Sequence, residues 1–330
     1  MPSNNPFHQW INLEQPRLGT RVVYATDEFF AAKERLIDAA EPVFIADKFD
    51  DHGKWMDGWE SRRRRDAGHD FCIIRLGVLG NLRGVDIDTR FFTGNFPPHA
   101  SLEGCICDQK MPDDDTVWEE IISRAALQGD SHHWLPIDGK GPYTHIRFHI
   151  YPDGGVARLR LYGAVRPDTS RWGDDAIDLL ALENGGRALI CSDEHYGSMH
   201  NLNLPGRSLN MGDGWETARR RGPGNDWVIF ALAAKGTVES VEIDTEHFKG
   251  NYPDRAAVDA VCLESPLGPA ELVDNTVPWQ TLLPESKLEM NQQHEFKGPK
   301  QIGPVTHVRM RIFPDGGVSR LRIRGRRVTS

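Results

Sequence analysis

The sequence predicts an all-β protein that consists of two copies of one β-sandwich unit and contains few short helices. This prediction depends on a long internal repeat, on alternating apolar and polar residues, and on turns rich in glycine and proline. Residues 57–97 align without a gap with residues 213–253, and we count 20 identities in 41 positions. Residues 144–163 align with residues 306–325, with 13 identities in 20 positions. The offsets, 213 − 57 = 156 and 306 − 144 = 162, indicate a duplicated domain and not a solenoid of short repeats.

The repeat places the two predicted domains at residues 12–166 and 178–327. The segment between them contains the polar stretch RPDTSRWGDD, which has the turn residues that are typical of a linker. A shorter match opens each copy, with Thr26-Asp27-Glu28 in the first and Ser192-Asp193-Glu194 in the second.

Strand periodicity is clearest in residues 144–151 and in their second copy. Apolar and polar residues alternate there, which predicts strands with one dry face and one charged face: Ile146, Phe148 and Ile150 alternate with His145, Arg147 and His149, and Val308, Met310 and Ile312 alternate with His307, Arg309 and Arg311. The turn sequence Pro152-Asp153-Gly154-Gly155 is followed by another alternating run, which predicts a hairpin. Residues 71–76 and 85–88 are expected to form two further strands, separated by a turn at Gly80. Residues 28–40 and 174–183 are the expected helices.

Composition limits the classes of function. The chain has 48 acidic and 39 basic residues and a net charge of −9, which excludes a general nucleic-acid binder. The five cysteines include no C-x-x-C pair, which predicts free thiols in a reducing cytosol. No secretion signal is visible, and no segment approaches the ~18 apolar residues of a membrane span. We therefore expect a cytoplasmic protein that does not contact membranes.

Several motifs recur in both copies in the same order. They are DGWE-x-x-RRR, G-x-D-[FW], DT-x-x-F-x-G-N-[FY]-P, and TH-[IV]-R followed by PDGG and RLR. With these motifs the chain resembles the allantoicase family over nearly its whole length. The resemblance implies that each half is a jelly-roll sandwich of the galactose-binding-like type. It also implies hydrolysis of allantoate to ureidoglycolate and urea in purine (allantoin) degradation, by a homo-oligomer that is a trimer or a hexamer.

The arginine runs are the candidate binding groups for the carboxylate of allantoate. Guanidinium groups bind carboxylates with two parallel hydrogen bonds, and the candidates are Arg63, Arg64, Arg65, Arg219, Arg220 and Arg221. Alternate residues of an extended segment point the same way, so Arg63 and Arg65 would share a face. The alternative is a solvated charge run that forms salt bridges with neighbouring acids.

The candidates for proton transfer are Glu60, His69, Asp88, Glu216 and Asp244. His69 corresponds to Asn225 in the second copy, and only histidine titrates near neutral pH, so the two copies would differ chemically. Structural alternatives are that the glutamates hold neighbouring arginines, that His69 has no role, and that the aspartates cap turns.

Asn95 and Asn251 can both donate to and accept from a ureido group. His145 and His307, with Arg147 and Arg309, are further substrate-binding candidates. A divalent metal stays open as a cofactor; no H-x-E spacing occurs, and a metal site would have to join distant segments. No other cofactor is indicated.

Two other functions are compatible with the residues at this stage. A related hydrolase that acts on ureidoglycolate would need the same chemical groups. A non-enzymatic tandem ligand-binding module would use the same fold, since fold alone does not determine function. A binding module would normally show exposed aromatic platforms, whereas the shared motifs are rich in Arg, Asp, Glu and Asn.

Overall fold

The computed structural model describes residues 5–173, 175–265 and 267–328. Its contacts divide the chain into two compact units, with the boundary between Arg166 and Pro167. Each unit is a β-sandwich, and the only α-helix in the described ranges is α1, Pro269–Leu272. The predicted all-β duplicated sandwich is therefore confirmed. Each helix of the described ranges is too short or too polar to span a membrane.

The first unit contains twelve strands among its described residues. They are β1 (Ile11–Asn12), β2 (Arg21–Ala25), β3 (Phe49–Asp50), β4 (Gly53–Lys54), β5 (Trp59–Glu60), β6 (Asp70–Asp88), β7 (His99–Cys105), β8 (Glu119–Ala126), β9 (His132–Pro136), β10 (Tyr143–Tyr151), β11 (Gly155–Val156) and β12 (Arg158–Val165). Short 3₁₀ helices cover Pro16–Leu18 and Lys33–Ile37. The order of the main sheet is β1-β12-β6-β10-β7-β8, and β2 and β9 also pair with β6.

Strand β6 is long enough to belong to both layers of the sandwich. Its first half pairs with β2 and β10, and its second half pairs with β9 and β12. The change of partner occurs at Gly80, which pairs with Tyr143 on one side and Val165 on the other. A Cβ on Gly80 would lie 2.6 Å from Leu13 Cδ1, so glycine allows the close approach. The predicted turn at Gly80 is wrong, because a continuous strand bends there.

The second unit repeats this arrangement. Its strands are β13 (Ile177–Asp178), β14 (Arg187–Cys191), β15 (Trp215–Glu216), β16 (Asp226–Asp244), β17 (Arg255–Val261), β18 (Gln280–Lys287), β19 (Gln293–Lys297), β20 (Val305–Phe313), β21 (Gly317–Val318) and β22 (Arg320–Arg327). Its 3₁₀ helices are Thr169–Arg171, Leu182–Asn184, Met199–Asn201 and Met211–Asp213. The sheet order is β13-β22-β16-β20-β17-β18, with β14 and β19 on β16, as in the first unit.

The alternating strands bury the expected residues between the two layers. Ile146, Phe148 and Ile150 of β10 have no exposed surface. The corresponding residues of β20, Val308, Met310 and Ile312, are equally buried. Removing such side chains from water at about 25 cal/mol per Å² is the main stabilising contribution in each sandwich.

The predicted hairpin around the Pro152-Asp153-Gly154-Gly155 turn is wrong. Strands β10 and β12 do not form a hairpin, because each pairs with β6 from opposite sides. The turn between them instead leads into β11, which pairs with β5. Strands β11 and β5 form a separate two-stranded sheet.

The two expected helices are also corrected. Residues 28–40 form only the 3₁₀ turn Lys33–Ile37, because Ala31 is held in an extended bridge with Glu60. In the segment 174–183, residue 174 lies outside the described residues. Ile177 and Asp178 form a strand that pairs with β22, and a 3₁₀ turn begins only at Leu182.

Candidate active site

One turn holds both ends of the arginine-rich loop of the first unit. We call residues 61–69 the arginine loop. At its start, Glu60 pairs with Gly155, and the Ser61 backbone N–H donates to the Gly154 carbonyl at 3.1 Å. At its end, the Asp70 N–H donates to the Pro152 carbonyl at 3.0 Å. Because these attachment points are three residues apart, they are separated by at most roughly 10 Å.

Steric constraints explain why the PDGG turn has a glycine at position 154. Gly154 has a φ of +139°, which disfavours residues with a side chain. A Cβ at this position would lie 2.7 Å from the Asn95 carbonyl oxygen, which accepts a hydrogen bond from Gly155. The Asp153 carboxylate accepts from the Arg64 backbone N–H at 2.8 Å. The turn therefore positions the arginine loop and the Asn95 segment together.

Glu60 and Asn95 form a polar pair at the start of the arginine loop. The Asn95 Nδ2 donates to Glu60 Oε1 at 2.7 Å. Glu60 is 9% exposed, whereas Asn95 is exposed to solvent. Burial raises the pKa of the Glu60 carboxyl, the Asn95 hydrogen bond opposes this, and the charge of Asp50 adds to it. A carboxyl group that keeps its proton more readily than usual is suited to donate one.

The arginines of the loop divide into two kinds. Arg64 binds the buried carboxylate of Asp70, with an Nη1 to Oδ1 distance of 2.6 Å, and Arg62 binds Asp27. Arg63 and Arg65 are exposed, and neither has a carboxylate partner within the described ranges. Two guanidinium groups are therefore available for a ligand, and the other two hold the loop.

The second unit reproduces this division. Arg220 pairs with the buried Asp226, and its backbone N–H donates to Asp315 at 2.8 Å. Arg219 and Arg221 are exposed, and among described residues no carboxylate pairs with either. Asn251 donates to Glu216, which is half-buried.

The structural role of Arg64 leads to a prediction about stability. The Arg64→Ala variant would leave Asp70, which is 1% exposed, without its ion-pair partner. We expect a loss of about 2–4 kcal/mol, because an uncompensated buried charge is costly. In thermal unfolding followed by circular dichroism, the midpoint should fall by about 5–10 °C. The matched control is Arg63→Ala, which should melt like the wild type. Equal melting of all three proteins would show that the ion pair does not hold the loop.

Asp88 and Asp244 lie at the ends of β6 and β16, as predicted. Asp88 Oδ1 accepts from the Arg90 backbone N–H at 2.9 Å, and its carboxylate pairs with the Arg90 guanidinium. Asp244 makes the same turn contact with the Glu246 N–H and pairs with Arg207. Both aspartates are buried, so these contacts favour the turn-capping interpretation of the motif.

A cavity of about 600 Å³ adjoins Asp88 on the outer side of the β6–β9–β12 layer. Its lining includes Asp86, His132 and Arg160. His132 Nδ1 lies 2.7 Å from Asp86 Oδ2, and burial raises the pKa of Asp86 to about 6 although the His132 contact opposes this shift. Arg160 is occupied by an ion pair with the buried Glu14 at 2.9 Å.

The His145 and His307 rings form hydrogen bonds with residues outside the two arginine runs. The Nδ1 atom of each ring is 2.9 Å from the hydroxyl of the preceding residue, Thr144 or Thr306. Burial lowers the pKa of both rings, so both are neutral near pH 7. The sheets therefore use them as uncharged polar residues.

His69 lies at the end of the arginine loop, where it leads to His149 and Glu103, two residues that were not among the predicted candidates. Its Nε2 is 2.8 Å from His149 Nδ1, and His149 Nε2 is 3.0 Å from Glu103 Oε2. Arg147 Nε donates to the same carboxylate oxygen at 2.8 Å, and its guanidinium lies over the ring of Trp118. The alternation in β10 places Arg147 and His149 on one face, but it does not reveal Glu103 as their neighbour.

The corresponding cluster of the second unit contains no histidine. Asp259 accepts hydrogen bonds from Arg309 and Arg311 at 2.9 and 2.8 Å. Arg309 lies over Trp279 as Arg147 lies over Trp118. The described ranges contain no group of three or more His, Cys, Asp or Glu side chains that could hold a metal ion.

The fold and these clusters define a tandem β-sandwich protein with an arginine-rich polar site on each unit, suited to a small anionic substrate. A family model described as the allantoicase repeat matches residues 11–166 and residues 177–328. The chain belongs to the allantoicase family.

Named relatives are similar over nearly their whole length. A probable allantoicase of Pseudomonas aeruginosa (strain LESB58) is 56% identical over 323 residues, which is 97% of each chain. A probable allantoicase of Pseudomonas syringae pv. syringae (strain B728a) is 54% identical over 97% of each chain. The crystal structure of allantoicase from Saccharomyces cerevisiae superimposes with a TM-score of 0.81 and 36% identity, and the match covers 98% of this chain and 94% of that chain.

Proposed function

We propose that this protein is an allantoicase, a hydrolase that converts allantoate and water into ureidoglycolate and urea. The observation that carries the proposal is the similarity to probable allantoicases across 97% of the chain, including both repeats. The site chemistry supports it, because the exposed arginines suit the substrate carboxylate and the Glu60–Asn95 pair suits a ureido group.

The substrate carboxylate would bind to the exposed guanidinium groups of the arginine loop. Arg63 and Arg65 are free of carboxylate partners in the described structure, whereas Arg64 is engaged with Asp70. A ligand carboxylate would therefore not have to displace an existing ion pair. In the second unit the same argument selects Arg219 and Arg221 and assigns Arg220 to the fold.

The reaction needs a base for water and an acid for the departing urea. Burial, followed by the charge of Arg64, lowers the pKa of His69, so its ring is neutral near pH 7 and can accept a proton. Water would give that proton to His69 and its oxygen would bond to the central carbon of allantoate. As the carbon–nitrogen bond breaks, Glu60 would protonate the leaving ureido nitrogen. Asp88 is a weaker candidate, because Arg90 already occupies its carboxylate.

The two alternative functions predict different products. A hydrolase for ureidoglycolate would release urea and glyoxylate from that compound, and a binding module would release nothing. Conversion of allantoate should yield one urea for each molecule consumed, measured with a urea assay that excludes ammonia. No urea from allantoate, with or without added divalent metal, would refute the proposed function. A second equivalent of urea would favour the ureidoglycolate activity.

We also propose a cytoplasmic homo-oligomer, a trimer or a hexamer. Each polar site lies on the surface of a small sandwich, and a partner copy would help to enclose it. Analytical ultracentrifugation should give a mass three or six times that of one chain. Full activity of a species with the mass of a single chain would contradict the proposed assembly.

A further inference from the structure

The first unit contains a chain of three titratable side chains that leads from the sheet to the arginine loop. Glu103 on β7 accepts from His149 on β10, with a distance of 3.0 Å between Oε2 and Nε2. His149 Nδ1 is 2.8 Å from His69 Nε2. Glu103 and His149 belong to paired strands, so the sheet holds their relative position. His149 is 8% exposed, whereas His69 is half-buried at the end of the loop.

The hydrogen bonds determine which ring nitrogens carry protons. A carboxylate only accepts, so Glu103 requires a proton on His149 Nε2. The neutral His149 ring then has an acceptor at Nδ1, which requires a proton on His69 Nε2. His69 Nδ1 is left with its lone pair, so it can accept a proton from a molecule at the loop. The positive charge gained there would be shared along the chain toward Glu103.

The surroundings of the histidines contain both signs of charge. Arg64 from the loop, Arg124 from β8 and Arg147 from β10 oppose the protonated form of His69, and Asp70 favours it. The Tyr151 ring of β10 lies beside the His69 ring at a tilt of 33°, with 4.3 Å between the ring centroids. Glu103 is therefore the carboxylate that acts on His69 through His149, while Asp70 is engaged by Arg64.

The second unit has no histidine at either of the positions equivalent to His69 and His149. Asn225 replaces His69, Arg311 replaces His149, and Asp259 in the place of Glu103 is bound by two arginines. Neither an asparagine nor an arginine can accept a proton near neutral pH. The second unit retains exposed arginines but has no counterpart of the His69–His149 pair.

We propose that Glu103 and His149 are positioning residues that orient His69 as the proton acceptor, so that proton transfer takes place in the first unit. This inference rests on the proposed hydrolysis of allantoate. It assigns the second unit a site that lacks the base.

The test is the pH dependence of kcat for Glu103→Gln and His69→Asn, with His195→Asn of the second unit as a control. His195 is an exposed surface residue. We expect His69→Asn to lower kcat by about a hundredfold or more and Glu103→Gln to lower it by about tenfold or more. Losing the Glu103 charge makes a protonated His69 less favourable, so the acidic limb of the profile should move to lower pH. The control should keep the wild-type rate and profile.

Rescue separates a chemical role from a structural one. Added imidazole should restore part of the activity of His69→Ala. The proposed role of Glu103 and His149 is refuted if Glu103→Gln keeps the wild-type kcat and the acidic limb of the wild-type pH profile. It is also refuted if His69→Asn stays fully active. A wild-type protein that releases no urea would instead refute the proposed function, so the two failures are distinguishable.

Discussion

Replacing Glu60 with glutamine is expected to lower kcat by about a hundredfold or more, with a smaller change in KM. Glutamine keeps the size of the side chain and its contact with Asn95, but it cannot donate a carboxyl proton. Because burial raises the pKa of Glu60, its protonated fraction persists to higher pH than that of an ordinary glutamate. The acid is lost as pH rises through this pKa, so the variant should also lose the alkaline decline of the wild-type profile.

The matched control for this variant is Glu216→Gln in the second unit. Glu216 occupies the equivalent position and accepts from Asn251, but its unit has no histidine in place of His69. We expect this change to reduce kcat much less than Glu60→Gln does. The opposite order, with both proteins folded, would place the chemistry in the second unit. Wild-type kcat in both variants would show that neither Glu60 nor Glu216 donates a proton in the reaction.

Replacing Arg63 or Arg65 with alanine is expected to lower kcat/KM by about 30-fold or more. The loss of a desolvated ion pair with the substrate carboxylate costs about 2–5 kcal/mol, and each ~1.4 kcal/mol is a factor of ten. Both side chains are exposed and make no ion pair in the described structure, so the fold should survive. The measurement is urea release from allantoate, with folding checked by circular dichroism.

The equivalent changes at Arg219 and Arg221 show whether the second unit also binds substrate. Arg64→Ala and Arg220→Ala complete the series, because their ion pairs with Asp70 and Asp226 predict mainly a loss of stability. If all six alanine variants remain folded with wild-type kcat/KM, the arginines do not bind the substrate carboxylate.

The repeat made the duplicated fold predictable, because equivalent motifs have to occupy equivalent places in two similar units. It did not predict the path of β6. A glycine between two apolar segments has the same sequence pattern whether the chain turns or a continuous strand changes partners. In the structure, Gly80 allows Leu13 to pack closely where the strand crosses from one layer to the other.

The candidate site was predictable only in part for a related reason. Alternation in the arginine loop indicated that Arg63 and Arg65 share a face, but the buried partner that separates Arg64 from them depends on the fold. Glu103 was missed because it is 46 residues from His149, and periodicity assigns a residue to a face without naming its neighbour on the next strand. The catalytic and binding roles of all these residues stay predictions.

Hydrolysis of allantoate in water enriched in oxygen-18 is the measurement that tests the central claim most directly. If water adds at the central carbon, the label should appear in the hydroxyl group of ureidoglycolate, and the single urea released should be unlabelled. Mass spectrometry of both products distinguishes these positions. Labelled carbon dioxide accompanied by ammonia would show attack on a ureido carbonyl, and that result would contradict the assignment of this chain as an allantoicase.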